Sequence, residues 1–413
     1  METVVFEDEG CGLFSPLNLL RHTSLLRWGT RTLMESLARS AGERGQVEAW
    51  GRAELAGVTK AMGISYNKEH HSTVLLINSR ARPGRILSDL SARKTPFAAT
   101  SKGGLVAAKL NASKVKPGVI SGEDVSRILK SAPKVEAPAG LLFQGYWDLV
   151  ASNGLAIAEQ AARFGETLSL PSSARVKGPP SSLRVHGSAE VEDYVSFDTR
   201  PGPIVVSEGV TIESFSRLSG PCYVGPRTKL TTALVRGGTS IFEGCKVGGE
   251  VENSILLPRT NKAHLGYVGD SYVGEWVNIG AGSAFSNLKN TYGNVRSSAA
   301  GSRVDTGLLK LGPAVGDMAK VSIGAMVFTG KKVGAGSQVT GLAAADVPPF
   351  TYFDGSKGAM VELHLVSVLE TQRRMKERRG MNLSRAEEEL IRFAFAATAS
   401  ERRKAGAKKG RIT

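Results

Sequence analysis

The chain has 413 residues, 41% hydrophobic and 22% charged, which is ordinary for a globular protein of two or three domains. No apolar run approaches the ~18 residues that span a bilayer, and three scattered cysteines fit neither a disulfide framework nor a metal site. We therefore expect a cytoplasmic protein with no membrane partner and no bound structural metal. The net charge of +15 favours anionic partners, and without a nucleic-acid-binding motif it favours phosphorylated small molecules over nucleic acid.

Residues 1–170 alternate strand-like and helix-like segments, which predicts an α/β domain. The acidic start METVVFEDEG reads as a first strand and not as a signal peptide. Residues 171–183, PSSARVKGPPSSL, have no periodicity and are predicted to be a linker. The elements that we predict before it are a strand at Thr3–Phe6, a helix at Arg31–Ala41, a strand at Thr73–Asn78 and a helix at Tyr146–Phe164.

Residues 184–357 carry aliphatic side chains at a spacing of six, which is neither the helical nor the strand period. Such a spacing fits short strands that turn by about 120°, so that three of them close one coil of a triangular prism and each coil stacks ~4.8 Å above the last. The aliphatic residues point inward, and glycine takes the corners. One series is Val206, Ile212, Leu218, Val224 and Leu230, and the series shifted by one is Tyr267, Val273, Ile279, Phe285, Leu309, Val315, Val321, Val327, Val333 and Val339.

Two interruptions of the repeat, 245–265 and 287–307, are predicted to be loops that project from the prism. Residues 358–402 return to a helical pattern, and Ser384 with Glu387 forms a capping box at the start of the second helix. Residues 403–413 form a basic tail with Arg411 near its end. The tail, with the cations just before it, fits a solvated terminus, and a nucleic-acid arm is the alternative.

The segment NKAHLGYVGDSYVGEWVNIGAGSAFSN and the six-residue repeat together resemble a known family. The repeat is similar to that of hexapeptide proteins, whose fold is a left-handed parallel β-helix. The segment resembles the acetyltransferase half of the bifunctional glucosamine-1-phosphate acetyltransferase and N-acetylglucosamine-1-phosphate uridylyltransferase family. The GEWVN stretch is similar to its variant, archaeal-type subfamily, in which the first domain has diverged.

The resemblance implies acetyl transfer from acetyl-CoA to the amine of an amino-sugar 1-phosphate in UDP-N-acetylglucosamine synthesis. An amine attacks a thioester only when it is unprotonated, and histidine is the side chain best suited to accept its proton. The family's catalytic histidine matches His264, in a motif from Lys262 to Asp270 that lacks one residue before the histidine. His264 could otherwise be an ordinary polar loop residue, and the motif favours catalysis.

Other site residues follow from the resemblance one position at a time. Arg236, in the frame of the repeat, resembles an arginine that binds the sugar phosphate, and Glu250, with Glu252 as the alternative, resembles a carboxylate that orients the histidine or binds the sugar. Lys289 or Arg296 stands in for a family lysine. A homotrimer with sites between its prisms is expected. The remaining substrate positions are Lys262, Tyr267, Asn278 and Asn287, and Ala281 lies where a backbone group contacts acetyl-CoA.

The N-terminal stretch EGCGLFSPLNLLRH resembles the glycine-rich loop of sugar nucleotidyltransferases. Gly10 and Gly12 are retained for a nucleotide triphosphate, UTP or dTTP, and Arg21 or His22 takes the place of the missing cations. The expected magnesium-binding aspartate is Asn78 or Ser79 here, so Mg²⁺ would be used only if this domain is active. An active domain and a structural one both fit. The alternative function is therefore a sugar-1-phosphate nucleotidylyltransferase whose β-helix serves assembly or regulation.

Overall fold

The computed structural model describes residues 2–43, 47–102, 104–165, 170–299 and 301–410. The chain divides into two compact units. The first unit contains the described residues of Met1–Arg27, Arg31–Tyr146 and Ser384–Ala394. The second unit contains those of Trp28–Thr30, Trp147–Leu383 and Phe395–Thr413. No helix within the described ranges has the length and apolarity needed to cross a membrane.

The first unit contains a six-stranded sheet in the order β4-β1-β5-β7-β6-β8, in which β1 is parallel to both of its neighbours and β7 is antiparallel to both of its own. The strands up to residue 136 are β1 (Glu2–Phe6), β2 (Arg27–Trp28), β3 (Arg31–Thr32), β4 (Glu48–Trp50), β5 (Thr73–Asn78), β6 (Phe97–Ser101), β7 (Gly104–Asn111) and β8 (Lys134–Glu136). The helices are α1 (Leu33–Ser40), α2 (Ala56–Ala61), α3 (Arg85–Ser91) and α4 (Gly122–Ser131), and α5 (Tyr146–Ala161) follows.

The predicted α/β class of this region is confirmed, and its elements follow from local sequence signals. Helix α1 begins after Thr32 because the Thr32 hydroxyl caps the Glu35 N–H while the Glu35 carboxylate accepts the Thr32 N–H. Strand β5 has the predicted bounds, and five of its six residues are buried because helices and loops cover both faces of the sheet.

Most of the second unit is a parallel β-solenoid, so the predicted prism is confirmed. Its strands are β9 (Arg175–Lys177), β10 (Leu183–Val185), β11 (Glu190–Val191), β12 (Ser196–Asp198), β13 (Ile204–Val206), β14 (Thr211–Ile212), β15 (Arg217–Ser219), β16 (Cys222–Val224), β17 (Lys229–Val235), β18 (Thr239–Ile241), β19 (Lys246–Glu252), β20 (Ile255–Leu256), β21 (Asn261–Lys262), β22 (Tyr267–Gly269), β23 (Tyr272–Val273), β24 (Asn278–Ile279), β25 (Ala284–Phe285), β26 (Arg296–Ala299), β27 (Ser302–Asp305), β28 (Ala314–Val315), β29 (Lys320–Val321), β30 (Met326–Val327), β31 (Lys332–Val333), β32 (Gln338–Thr340), β33 (Leu342–Ala343), β34 (Thr351–Asp354) and β35 (Ala359–Glu362).

Three parallel ladders form the faces of the prism. The first face is the eight-stranded ladder β10-β13-β16-β18-β20-β23-β28-β31. The other two faces join into one sheet because β17 and β19 run round the corner between them, with a register shift between Thr231 and Ala233. The second face runs through β21, β24 and β29, and the third through β22, β25 and β30. Aliphatic side chains from all three faces fill the interior.

The length of each coil varies, and this corrects the predicted frame at two site residues. Ile204 pairs with Cys222, 18 residues on, whereas Ile255 follows its partner Ser240 by only 15. A fixed period of six residues therefore loses register with the strands wherever a coil is shorter than 18 residues. Val235 and Val268 are fully buried at the inward positions of the third face, so Arg236 and Tyr267 lie on its outer surface. The prediction of inward frame positions for these two residues is wrong.

Only one of the two predicted projecting loops leaves the prism. Residues 245–265 continue the coil through β19, β20 and β21, and Val247 and Val251 are buried inside it. Residues 287–307 do project, because Tyr272 pairs with Ala314 and the segment between β25 and β28 holds the antiparallel hairpin of β26 and β27.

The described residues after the prism form a hairpin of β34 and β35 and three helices, α6 (Leu365–Glu377), α7 (Arg385–Ala397) and α8 (Ala399–Lys404). Arg402 is 1% exposed, and its guanidinium donates to the Glu362 carboxylate at 2.6 Å and to the Phe395 carbonyl at 2.7 Å. Arg402, a cation of the C-terminal basic cluster, is therefore buried and links α8 to β35 and to the end of α7. Lys408 hydrogen-bonds the backbone of Met360, and Arg411 lies outside the described residues.

Candidate functional site

His264 lies at the corner between β21 on the second face and β22 on the third. Its side chain is exposed, as is that of Leu265 beside it. The imidazole makes no hydrogen bond or ion pair with any residue that the structure describes. A ring in this setting is open to an external ligand on both of its nitrogen atoms.

Lys262 fixes the backbone of this corner from inside the prism. The short coil places it opposite Val247 at an inward position, and it is 2% exposed. Its Nζ donates to the Gly248 carbonyl at 2.6 Å and to the His264 carbonyl at 2.8 Å. Burial lowers the pKa of the Lys262 ammonium to about 8. The ammonium is thus directed at backbone carbonyls, whereas the resemblance assigned it to substrate.

Tyr267 is the centre of a polar network on the outer surface of the third face. Its hydroxyl donates to the Glu252 carboxylate at 3.0 Å and accepts from the Asn287 amide at 2.9 Å. The same Asn287 amide donates to Asp270 at 2.6 Å, and Asn253 donates to the other Asp270 oxygen at 2.7 Å. Burial raises the pKa of the Tyr267 phenol, and the charge of Glu252 raises it further, so the hydroxyl stays protonated.

Arg236 and Glu250 form an ion pair at the edge of this network. The Arg236 Nε donates to the Glu250 carboxylate at 2.5 Å, and the Arg236 side chain is 48% exposed. The hydrogen bond from Arg236 to Glu250 raises the arginine pKa, and Glu252 and Tyr267 lie close enough to act on it as well. The two terminal nitrogens of the guanidinium make no hydrogen bond to the described residues, so they are open to an anion.

Gly269 makes room for the ring of Tyr267. A Cβ at this position would stand 2.2 Å from the Tyr267 hydroxyl and 2.8 Å from the Asn287 amide nitrogen. Asp270, the next residue, is 6% exposed, and burial raises its pKa although Asn253 and Asn287 oppose the shift through their hydrogen bonds. The absence of a side chain at Gly269 therefore leaves room for the Tyr267 ring. The Asp270 carboxylate holds Asn253 and Asn287 in place by accepting their hydrogen bonds.

Asn278 and Ala281 lie outside the network. Asn278 is on the second face, where its side-chain oxygen accepts from the Asn261 amide at 2.7 Å. Ala281 lies between β24 and β25, at the same corner of the prism as His264 but one coil further on, where the Gly282 N–H donates to the Leu265 carbonyl at 2.9 Å. The Ala281 N–H makes no hydrogen bond with the described residues and is free to donate to a ligand.

The fold thus brings together Arg236, Glu250, Tyr267 and Asn287, and it places His264 on the neighbouring corner. No described hydrogen bond joins Glu250 to His264. Glu252 is the carboxylate that bonds Tyr267, so the two acids that the sequence left as alternatives have separate partners. Sequence reasoning missed Asn253, and it found Gly269 and Asp270 only as positions of the histidine motif, without their roles in the network. A correct coil register would have aligned them.

In the first unit the glycine-rich loop packs against a buried ion pair. Arg80 donates to both oxygens of Asp8, at 2.8 and 2.6 Å, and Asn78 donates to Asp8 at 2.8 Å. The Arg80 side chain is 2% exposed, and a Cβ on Gly10 would stand 2.5 Å from its guanidinium carbon. Gly10 is therefore required for contact with the chain's own arginine. Gly12 faces open space.

A second buried ion pair holds the segment after this loop. Arg52 donates to both oxygens of Glu7, at 3.0 and 2.9 Å, and to the carbonyls of Asn18 and Arg21. Burial alone would raise the pKa of Glu7, but the charge and hydrogen bonds of Arg52 and the hydrogen bond from Thr23 outweigh this effect and lower the pKa to about 2. Burial lowers the pKa of His22, so its ring is neutral near pH 7. Arg21 is 8% exposed and lies in this buried layer.

The residues at the position of the expected magnesium-binding aspartate do not fit a magnesium ion. Asn78 is fully buried, and its side chain bonds Asp8, Leu105 and Arg80. Both Asp8 oxygens are engaged by Arg80, so this carboxylate is not available to a hard cation. Across the described ranges, no group of three or more histidine, cysteine, aspartate or glutamate residues could hold a metal.

Comparison with known proteins shows what the N-terminal region matches and that the chain is similar to bifunctional enzymes. Residues 3–167, less than half of the chain, match the family model described as sugar nucleotidyl transferase. The chain is similar to the bifunctional sugar-1-phosphate nucleotidylyltransferase/acetyltransferase of Sulfurisphaera tokodaii, with 32% identity over 157 residues, 36% of this chain and 37% of that protein. It is also similar to the bifunctional protein GlmU of Heliobacterium modesticaldum, with 34% identity over 154 residues, 37% of this chain and 29% of that one. The resemblance inferred from the sequence is confirmed.

These matches are partial. The chain spans about a third of the length of the curated relatives that it matches. Among solved structures, it is similar to the UDP-N-acetylglucosamine acyltransferase of Francisella novicida, with 13% identity over 56% of this chain and 93% of that one, and a TM-score of 0.26. A likeness of 11% identity to the UDP-N-acetylglucosamine O-acyltransferase of Moraxella catarrhalis covers 55% of this chain and 95% of that one, with a TM-score of 0.25.

Proposed function

We propose that the second unit transfers the acetyl group of acetyl-CoA to the amine of an amino-sugar 1-phosphate, with glucosamine 1-phosphate as the first acceptor to test. The observation that carries this proposal is the unbonded, exposed imidazole of His264 on the corner next to the Tyr267 network. The similarity to the bifunctional sugar-1-phosphate nucleotidylyltransferase/acetyltransferase of Sulfurisphaera tokodaii supports it.

In this proposal His264 accepts the proton that the amine loses as its nitrogen attacks the thioester carbon. The carbon–sulfur bond breaks, and the thiolate of CoA leaves and takes up a proton. The Ala281 N–H, which has no acceptor among the described residues, suits the oxygen that becomes negative during the attack. Arg236 and the Tyr267 hydroxyl suit phosphate oxygens, Asn278 and Asn287 suit the sugar hydroxyls, and Glu250 holds Arg236 in place.

The assembly and location that go with this function are also proposals. A homotrimer would bring the His264 corner of one prism against a neighbouring prism, and exposed Leu265 and Ile323 on that edge support such contact. A cytoplasmic location is supported by the three cysteines, which are free and buried.

The experiment that tests the proposal follows free thiol released from acetyl-CoA with each amino-sugar 1-phosphate. We expect His264→Ala to lower kcat by about 10²- to 10⁴-fold with an unchanged unfolding temperature. The matched control is His186→Ala, because His186 is an exposed histidine of the same prism whose ring bonds only Ser188. Undiminished turnover by His264→Ala would remove His264 from the reaction.

Nucleotidylyl transfer by the first unit is the second candidate, and the match of residues 3–167 to the sugar nucleotidyl transferase family favours it. The test is pyrophosphate release from UTP or dTTP in the presence of a sugar 1-phosphate and Mg²⁺. The bonds of Asp8 to Arg80 and Asn78 speak against a magnesium ligand at this loop. Release at a rate above that of a protein-free control would establish the activity, and none with either nucleotide would eliminate it.

A further inference from the structure

A cavity of about 710 Å³ lies between the projecting hairpin of β26 and β27 and the part of the prism that follows β30. Its volume is that of a pocket for a small molecule. We call it the basic pocket, and the side chains that matter to its chemistry are those of Lys289, Arg296, Arg303, Phe328, Thr329 and Lys331. None of these six belongs to the polar network around Tyr267.

The charges of the basic pocket are all of one sign. Four of its lining residues are lysine or arginine, and no aspartate or glutamate lines it within the described part of the chain. The Lys289 ammonium bonds the Asn294 carbonyl, and none of the four cations forms an ion pair with a described carboxylate. Burial and the nearby charge of Arg303 lower the pKa of Lys331, although Asp346 opposes the shift. Cations that crowd one another in this way favour a bound anion.

The hairpin places two of these cations side by side. Arg296 pairs with Asp305 and Ser298 pairs with Arg303, so the two arginines are diagonal neighbours on one face of the ribbon. Their Cβ atoms are expected to lie roughly 7–8 Å apart. The carboxylate of Asp305 accepts the Gly307 N–H at the turn that follows. Two guanidinium groups at this spacing can each grip a different phosphate.

Phe328 gives the pocket an apolar surface next to the cations. Its side chain is 45% exposed on the outer side of the third face, one residue beyond β30. Thr329 adds a hydroxyl, bonded to that of Ser286 at 3.0 Å. An exposed ring beside several cations matches a ligand that has both a flat base and more than one phosphate.

We propose that the basic pocket binds a nucleoside that carries two or more phosphates. Two sources have this chemistry, namely the 3′-phosphorylated adenosine diphosphate part of coenzyme A and a free nucleoside triphosphate. The proposal goes beyond acetyl transfer, since binding is measured without turnover and either result leaves the role of His264 open.

The test is isothermal titration of the full chain, at about 0.15 M ionic strength, with coenzyme A, adenosine 3′,5′-bisphosphate, UTP and inorganic phosphate. We expect at least one nucleotide to bind about tenfold more tightly than inorganic phosphate. Arg303→Gln and Lys331→Gln should each weaken that nucleotide by about tenfold, because each removes one charged contact. Phe328→Leu should weaken the binding of the nucleotide and leave the binding of inorganic phosphate unchanged.

The matched control is Arg227→Gln, since Arg227 is an exposed arginine at another corner of the prism and makes no ion pair with the described residues. Binding of coenzyme A and the bisphosphate without UTP identifies the acetyl donor as the ligand, and the reverse identifies a free nucleotide. Equal affinity for phosphate and all nucleotides would overturn the proposal. So would an absence of binding, or an equal loss in Arg227→Gln.

Discussion

The carboxylates of Glu7 and Asp8 in the first unit are each bonded through both oxygens to an arginine of that unit. None of the four cations of the basic pocket in the second unit forms an ion pair with a described carboxylate. In the first unit, arginines of the chain itself neutralise the two carboxylates beside the glycine-rich loop. In the second unit, no ion pair with a described carboxylate neutralises the four cations at the surface. Charge that the chain itself satisfies stabilises the fold, and unsatisfied charge is available to a ligand.

The largest effect that this comparison predicts is for Arg80→Met. The variant leaves the Asp8 carboxylate buried with no charge partner, so we expect it to lower the unfolding free energy of the first unit by about 3–5 kcal/mol. Hydrogen exchange of peptides that cover β1 and β5 measures the change. Arg85→Met is the matched control, because the Arg85 side chain is 94% exposed and should change the value by less than about 0.5 kcal/mol. A loss below about 1 kcal/mol for Arg80→Met would mean that the pair is not a structural support.

Glu7→Gln should have the next largest effect, and it should depend on pH. The folded pKa of Glu7 is about 2, below its ordinary value of 4.5. The carboxylate therefore contributes stability that is fully present above pH 4.5 and is lost as the pH falls through 2. The difference of about 2.5 pKa units corresponds to roughly 3 kcal/mol.

The measurement for Glu7→Gln is the unfolding free energy of both proteins between pH 7 and pH 2. We expect the gap between them to be largest near neutrality and to close toward pH 2. Glu69→Gln is the control, since Glu69 is exposed and forms no ion pair with the described residues. A gap that stays constant over this range would show that the charge of Glu7 is not what stabilises the unit.

Gly269→Ala sharpens the comparison in the second unit. The new methyl group would meet the Tyr267 hydroxyl, so the ring must move away from Glu252 and Asn287. We expect a loss of about 1–3 kcal/mol in unfolding free energy and, if the proposed function holds, a KM for the sugar phosphate that is raised more than kcat is lowered. Gly165→Ala is the control, because a Cβ there meets nothing within 4 Å. An unchanged KM together with the stability loss would restrict the network to a structural role.

Much of the solenoid could be predicted from sequence, because an aliphatic side chain every six residues has few other physical explanations. The error arose where coils shorten from 18 residues to 17 at Val235 and to 15 at Ile255, since a fixed period cannot register a missing residue. That slip placed Arg236 and Tyr267 inside the prism and hid the inward position of Lys262. Strand pairing in the structure was needed to correct it.

The ion pairs of the first unit could not be found in the same way. Asp8 and Arg80 are 72 residues apart, and no spacing rule links two residues on different strand ends. The glycines at 10 and 12 suggested a phosphate loop because local spacing is all that a motif records. The space beside Gly10 is filled by the side chain of Arg80, which is distant in sequence. A glycine motif can therefore be present in a sequence although a side chain of the protein itself fills the space beside it.

The smallest predicted effect is for Arg303→Gln in the absence of any ligand, and its sign is opposite to that of Arg80→Met. Arg303 has no carboxylate partner in the described part of the chain and repels Lys331, so removing its charge should raise the unfolding free energy by about 0.2–0.5 kcal/mol. Hydrogen exchange of peptides that cover β26 to β28 measures the change. The gain should shrink at high salt, because salt screens repulsion between exposed charges. A loss of more than about 1 kcal/mol would show that Arg303 supports the hairpin, and the contrast between the two units would then fail at the residue on which the basic pocket most depends.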